Sequence, residues 1–410
     1  MLLCTEVWLQ LEGDMISVQE ATDIINSQQI PVGSECIPLI AAHGRILAKS
    51  YAADRPFPPF DRVTMDGIAI HSSALVKGTT HFRLESKQFA GEAQKTLIDT
   101  DACIETATGA MLPGNCDTII PYEHLVAYEE GFDLNPSFMI RPQQNVHAKG
   151  SDLSQGEVVL NAGSILNAAN IALAASIGLG ELEVTKAVRI AIVSTGDELV
   201  PVEQTPLPYQ IRRTNALAIS ALLSSPNVKC ADFHLADDPL AIEQWIRKEE
   251  ENFDVLIFSG GVSMGKKDFL PSCFAKLNIT EHFHKITQRP GKPLWFGSKP
   301  NLVVFGLPGN PVSTHFCTVR YVQQFIYTLL NIPTLLMKVE LASPFSFKPS
   351  LTLFKPVTLV SSDGRLQAHP VALNGSGDFS QLGTADGFIE LPSDQIDFEA
   401  GSPYPYYSLV

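Results

Sequence analysis

The octapeptide GLPGNPVS, residues 306–313, follows the apolar run NLVVF and precedes THFCTVRYVQQFIYTLL. Two prolines without an amide hydrogen and two glycines without a side chain suit a turn and not a sheet ladder. Val303 to Phe305 read as a buried strand and Thr314 to Leu330 as a helix. Asn310 then stands at a natural N-cap and Pro311 at the first helical position. The strand, Pro308 and the bare Gly309 would bring an anion against free N–H groups at the positive end of that helix. A plain strand-to-helix turn explains the octapeptide equally well, so the rest of the chain must decide.

Three further groups carry chemistry. SGGVSMG places Gly260, Gly261 and Gly265 directly after a strand, with hydroxyls from Ser259 and Ser263, so its backbone can wrap a phosphate or another oxyanion. KITQRPGKPLWFGSKP gathers Lys285, Arg289, Lys292 and Lys299 near a turn, as a cation group or as a solvated hairpin. Asp197 and Glu198 follow a strand, Asp237 with Asp238 open a helix, and Asp268 comes after the glycine loop. Oxygen ligands of this kind suit Mg²⁺ bound jointly with a substrate phosphate, although Asp237 and Asp238 are also ordinary acids of a helix N-terminus. His282 and His284 share one face of a strand but lack a third metal ligand. Residues 261–265 also match the G-x-S-x-G nucleophile elbow, with Ser263 as nucleophile and His369 as its partner. Against an α/β-hydrolase, no HGGG segment precedes the elbow and His369 falls in a β-rich tail.

The elements that must position these groups follow from composition and pattern. A chain of 410 residues exceeds one ordinary domain. Hydrophobic residues are 45% and charged residues 18%, enough for a sizeable core. A net charge of −15 argues against a nucleic-acid or membrane binder, so an anionic ligand needs a local cation group. Seven cysteines without a CxxC pair read as reduced thiols in the cytoplasm. The first residues, MLLCTEVWLQLEGD, lack the pattern of a signal peptide, and Met15 is expected as the natural start.

Residues 15–54 and 146–186 read as helical and are expected to form one linker unit, interrupted by a β-rich insertion over 55–145. From 187 to 331, strands alternate with helices, which predicts a doubly wound α/β domain with a parallel sheet. STGDEL, SGGVSMGKKDF and GLPGNP all fall at the carboxyl ends of its strands. Residues 332–410 read as a small C-terminal β domain.

Eight stretches in order now carry a family likeness: PPFDRVTMDG, TGAMLPGNCDTII, NVHAKGSDLSQG, STGDEL, IRRTN, SGGVSMGKKDF, RPGKP and GLPGNPVS. Together they resemble the molybdopterin molybdenumtransferases, that is, the bacterial MoeA proteins and the E domain of gephyrin. The resemblance implies that molybdate is inserted into the dithiolene of adenylylated molybdopterin with Mg²⁺-dependent release of AMP. It places Asp66, Thr108, Asp152, Glu198, Asp238 and Asp268 on the family's functional positions, with Glu198 and Asp268 as the metal ligands. Lys285, Arg289, Pro308, Pro311, Lys355 and Ser376 fall on its ligand-binding positions. It further implies a homodimer and allows a molybdopterin adenylyltransferase as partner. The chain departs from the family's habits at Arg289, Lys355, Lys266 and His147, which leaves open a paralogue that binds or scaffolds the cofactor without turnover.

Overall fold

The computed structural model describes residues 15–135, 137, 139–262, 269–362 and 364–409. They form two compact units, one of residues 38–41 and 49–182 and one that takes the remainder.

In the first unit a six-stranded sheet runs in the order Thr118–Pro121, Gly67–Ile70, Ala102–Thr106, His81–Gln88, Gly131–Leu134, Leu125–Tyr128. Alternation along Gly67–Ile70 sends Ile68 and Ile70 into one apolar cluster and Ala69 into another, so this strand is buried on both faces. The helical reading of residues 146–186 holds only for Ala168–Ser176, capped reciprocally by Asn167 and Asn170, and is otherwise corrected, since Val146–His147, Val158–Leu160 and Glu181–Thr185 are strands.

The sequence reading of residues 15–54 as helical is corrected. Only Val18–Ser27 is an α-helix, started by a Ser17–Glu20 capping box. Strands Ser34–Pro38 and Tyr51–Ala52 follow it. Val18, Ala21 and Ile25 of the helix pack into the core of the α/β unit, together with Phe325 and Ile326. An amphipathic helix joins whichever apolar face covers it, which sequence adjacency does not reveal.

The α/β sheet has six strands: β1 (Val188–Thr195), β2 (Val228–Leu235), β3 (Val255–Ser259), β4 (Thr280–Phe283), β5 (Trp295–Lys299) and β6 (Leu302–Leu307). Their order is β2-β1-β3-β6-β5-β4. β2, β1, β3 and β6 are parallel, and β5 runs antiparallel to both of its neighbours, β6 and β4, so the sheet is mixed. Both faces are buried: Ile190 and Ile192 point into one cluster, Ala191 and Val193 into the other. Ser194, Ser259 and Leu307 are register partners across β1, β3 and β6. The three signature turns therefore leave the sheet side by side at one edge, as expected from the sequence.

The helix after β6 begins at Pro311, the first helical position expected from the sequence. It continues as a π-wound segment, Thr318–Gln323, and then as Gln324–Leu329. In the C-terminal part, Thr352–Ser362, Arg365–Pro370, Lys338–Leu341, Pro403–Ser408 and Gly387–Leu391 pair in a ring, because the last also pairs with the first. Closure leaves this small barrel without a free edge at that seam. Gln288–Arg289 adds to it by parallel pairing with Thr352 and Leu353.

Candidate active site

A cleft of about 1100 Å³ opens beyond the carboxyl ends of β1, β3 and β6. Its sheet-side wall is made of turns that only glycine permits. Gly260 and Gly261 have φ of 99° and 70°. A Cβ on Gly260 would lie 3.1 Å from the Thr195 carbonyl, and one on Gly261 would lie 3.0 Å from Leu270. Thr195 itself lines the cleft, is 6% exposed, and its Oγ1 has no hydrogen-bond partner among the described residues. A buried hydroxyl without a partner is costly unless a ligand completes it. This residue is the threonine of STGDEL, and its place in the motif is the signal that could have found it.

Asn215, from IRRTN, ties the wall together. Its Nδ2 donates to Ser259 Oγ and to the Gly309 carbonyl, both at 2.9 Å. Ser259 is buried at the end of β3 and does not line the cleft, so its hydroxyl anchors the turn. Ser263, Gly265 and Asp268, with Lys266, lie outside the described residues.

The PGNP turn does form a wall, through Pro308, Gly309 and Asn310, while Pro311 opens the helix behind it. The expectation of a free helix N-terminus is corrected. Asn310 makes no side-chain cap; its Nδ2 donates to Ser376 Oγ at 2.9 Å, and the Val312 amide donates to the Ser376 carbonyl at 3.1 Å. The turn is braced instead by Thr314 Oγ1, which donates to the Pro308 carbonyl at 2.6 Å.

Among the acids, Glu198 and Asp237 line the cleft. The Glu198 carboxylate folds back over Gly196, where a Cβ would meet both its oxygens at 2.7 Å. Asp197 Oδ1 accepts the Asp237 amide at 3.3 Å and so braces the loop. Asp238 caps the helix Pro239–Glu249 through the Leu240 amide at 2.9 Å and does not line the cleft. Here the ordinary helix-acid reading holds. Among the described residues no three His, Cys, Asp or Glu side chains converge as a metal site. Two carboxylates are still a fitting set for Mg²⁺, which keeps waters and substrate phosphate in its remaining positions.

The cation group divides. Arg289, Lys292 and Lys355 line the cleft. Lys299 is paired with Glu250, and Lys285 does not line the cleft; its carbonyl accepts the Ile16 amide at 3.1 Å. Arg289 lies 6.0 Å from the Phe347 ring and Lys355 5.4 Å from Phe345. Burial, and then the charge of Arg289, hold the Lys355 ammonium below the usual lysine range. Among the described residues neither cation has a carboxylate within 4.0 Å. Two like charges held in one cleft with no carboxylate beside them among the described residues suit an anionic ligand. Ser313 and the aromatic residues Phe345 and Phe347 also line it; nothing in PFSFKP announces this from the sequence.

The histidines have structural roles: His282 Nε2 bonds Ser298 Oγ and His284 Nε2 bonds the Val262 carbonyl, each at 2.7 Å. His369 is exposed on a barrel strand and does not line the cleft, which removes the partner expected of a hydrolase.

Asp66, Thr108 and Asp152 belong to the first unit. Asp66 Oδ1 accepts the Thr108 amide at 2.7 Å, and that bond holds its carboxyl below the usual carboxylate range. His147 bridges Asp152, at 2.7 Å from Nε2, and Arg62, at 3.1 Å from Nδ1. Because a guanidinium only donates, Nδ1 is the acceptor and Nε2 carries the proton toward Asp152.

Three family models match: "MoeA N-terminal region (domain I and II)" over residues 16–178, "Probable molybdopterin binding domain" over 191–328, and "MoeA C-terminal region (domain IV)" over 338–409. The molybdopterin molybdenumtransferase of Synechocystis sp. is 38% identical over 96% of this chain and 100% of its own length. That of Haemophilus influenzae is 30% identical over 94% and 97%. The crystal structure of the molybdopterin biosynthesis MoeA protein from Pyrococcus horikosii superposes with a TM-score of 0.83 at 27% identity, covering 97% of this chain and 99% of that one. With its three-part match, its near-complete coverage and a ligand cleft at the expected sheet edge, the chain belongs to the MoeA family of molybdopterin molybdenumtransferases.

Proposed function

We propose that this protein takes molybdate and adenylylated molybdopterin as substrates, inserts molybdenum into the dithiolene and releases AMP, the last step of molybdenum cofactor synthesis. The observation that carries this reading is the pair Arg289 and Lys355, two cations that line the same cleft as the glycine turns and have no carboxylate within 4.0 Å among the described residues. One cleft thus offers a phosphate cradle and a separate seat for a tetrahedral dianion.

In this reading Gly260 and Gly261 admit the phosphates close to the backbone, and the Thr195 hydroxyl, without a partner among the described residues, donates to them. Pro308, Gly309 and Asn310 wall the dianion seat, with Lys292 as a third cation. Ser376 Oγ already accepts from Asn310, so its own proton is free to donate to the oxyanion. Glu198 and Asp237, with Asp268 as a third candidate, would hold Mg²⁺. That ion would neutralise charge developing on the phosphoanhydride. Asp66, Thr108 and Asp152 keep the roles carried over from the family, and a homodimer, an adenylyltransferase partner and a cytoplasmic location belong to the same proposal. Among the described residues no helix is long and apolar enough to cross a membrane.

The test is mass spectrometry of the pterin product after incubation with adenylylated molybdopterin, Mg²⁺ and molybdate. A molybdenum-bearing product supports the reading. Tight ligand binding with no product would make the chain a carrier or scaffold.

A further inference from the structure

Behind Arg289 lies a buried polar network, whose Gln288 also lines the cleft. Gln288 and Tyr321 are each 1% exposed. The Gln288 carboxamide links the turn that presents Arg289 to the helix behind it: its Oε1 accepts the Tyr321 hydroxyl, and its Nε2 donates to the Gly291 carbonyl at 3.0 Å. The turn has little room to shift, since a Cβ on Gly291 would lie 2.5 Å from Cys317 Sγ and 2.9 Å from Gln288 Nε2. On its other side the same segment pairs in parallel with Thr352 and Leu353, on the strand that carries Lys355.

Tyr321 is itself clamped. It sits in the π-wound segment, where Thr318 through Val322 are all buried, an arrangement that recurs at functional sites. The Arg320 guanidinium lies 5.1 Å from the rings of both Tyr321 and Tyr407 and 3.5 Å from Glu390, and its Nη2 donates to Thr22 Oγ1 at 3.0 Å. Tyr407 in turn donates to Glu390 at 2.7 Å. Tyr321 does not line the cleft; its hydroxyl reaches the cleft wall through Gln288.

We propose that Tyr321 is a positioning residue for oxyanion binding: its hydroxyl fixes the Gln288 carboxamide, and that carboxamide fixes the turn that aims Arg289 into the cleft beside Lys355. The inference rests on the reading of Arg289 and Lys355 as the oxyanion pair. Without the hydroxyl, Gln288 Oε1 would be buried without a donor, and the carboxamide would gain freedom to turn away from Gly291.

The experiment is a double-mutant cycle by titration calorimetry, with molybdate and adenylylated molybdopterin as separate probes, on wild type, Tyr321→Phe, Arg289→Ala and the double variant. Tyr321→Phe is expected to weaken molybdate about fivefold, the effect of one hydrogen bond, while the affinity for adenylylated molybdopterin stays the same. In the Arg289→Ala background the same change is expected to have no further effect. Equal weakening of both ligands, an undiminished effect without Arg289, or no effect on molybdate would overturn the inference. If Arg289→Ala itself leaves molybdate binding unchanged, the oxyanion reading falls and this inference with it. Should Tyr321→Phe fail to fold, Gln288→Met replaces it in the same cycle and is read against the same outcomes.

Discussion

Replacing Lys355 with methionine keeps most of the aliphatic stem over Phe345 and removes one of the three cations, with Arg289 and Lys292, that line the cleft. A hydrogen bond to a charged group contributes about 1.5–3 kcal/mol, and each 1.4 kcal/mol is tenfold in affinity. Lys355 is only half buried, so solvent screens part of its attraction, and the lower part of that range applies. Molybdate binding is then expected to weaken about 10- to 30-fold by titration calorimetry, with binding of adenylylated molybdopterin changed by less than about twofold. Stability should move the other way. A basic group whose folded pKa is lowered opposes folding while it is protonated, a penalty present below that pKa and relieved as pH rises above it. Lys355→Met should therefore unfold at the same temperature as wild type or above it at neutral pH. The same lowered pKa makes wild-type molybdate affinity fall with rising pH before an ordinary lysine would titrate, and in Lys355→Met this part of the decline should vanish. Equal weakening of both ligands, or unchanged molybdate affinity, would refute the separate anion seat.

Three further outcomes follow from the cleft. Gly260→Ala forces a Cβ to 3.1 Å from the Thr195 carbonyl at φ of 99° and should reduce affinity for adenylylated molybdopterin at least tenfold while sparing molybdate, as calorimetry would read. Asp237→Asn should impair Mg²⁺-dependent turnover, whereas Asp238→Ala should chiefly destabilise the protein by about 1 kcal/mol through loss of a helix cap; kinetics beside denaturant melts separates the two. Asn215→Ala removes two hydrogen bonds that join Ser259 to the PGNP turn and should cost about 1–3 kcal/mol of stability in the same melts.

The sheet edge was legible because proline and glycine punctuate the ends of continuous apolar runs, and those runs can only be central strands. Local order within a turn was not. Asp237 and Asp238 are neighbours, yet the dihedrals of the cap send one to the cleft and the other to its own helix. Lys292 and Lys299 looked equivalent as cations of one hairpin. β5, however, runs antiparallel to β6, and its five residues at about 3.3 Å each carry Lys299 to the far end of the sheet, beside Glu250. The helix after Pro311 was readable, but its occupied N-terminus was not, because Ser376 arrives from a loop far along the chain. Residues 28–54 misled because their apolar residues support short strands as well as a helix, and partners distant in sequence decide between them.

The most direct test of the central claim is AMP release from adenylylated molybdopterin by the purified protein with Mg²⁺, measured with and without molybdate in wild type and in the Arg289→Ala/Lys355→Met double variant. The account expects molybdate-dependent release in wild type and little stimulation by molybdate in the double variant, with adenylylated molybdopterin still bound. Release that ignores molybdate, or stimulation that survives loss of both cations, would contradict it.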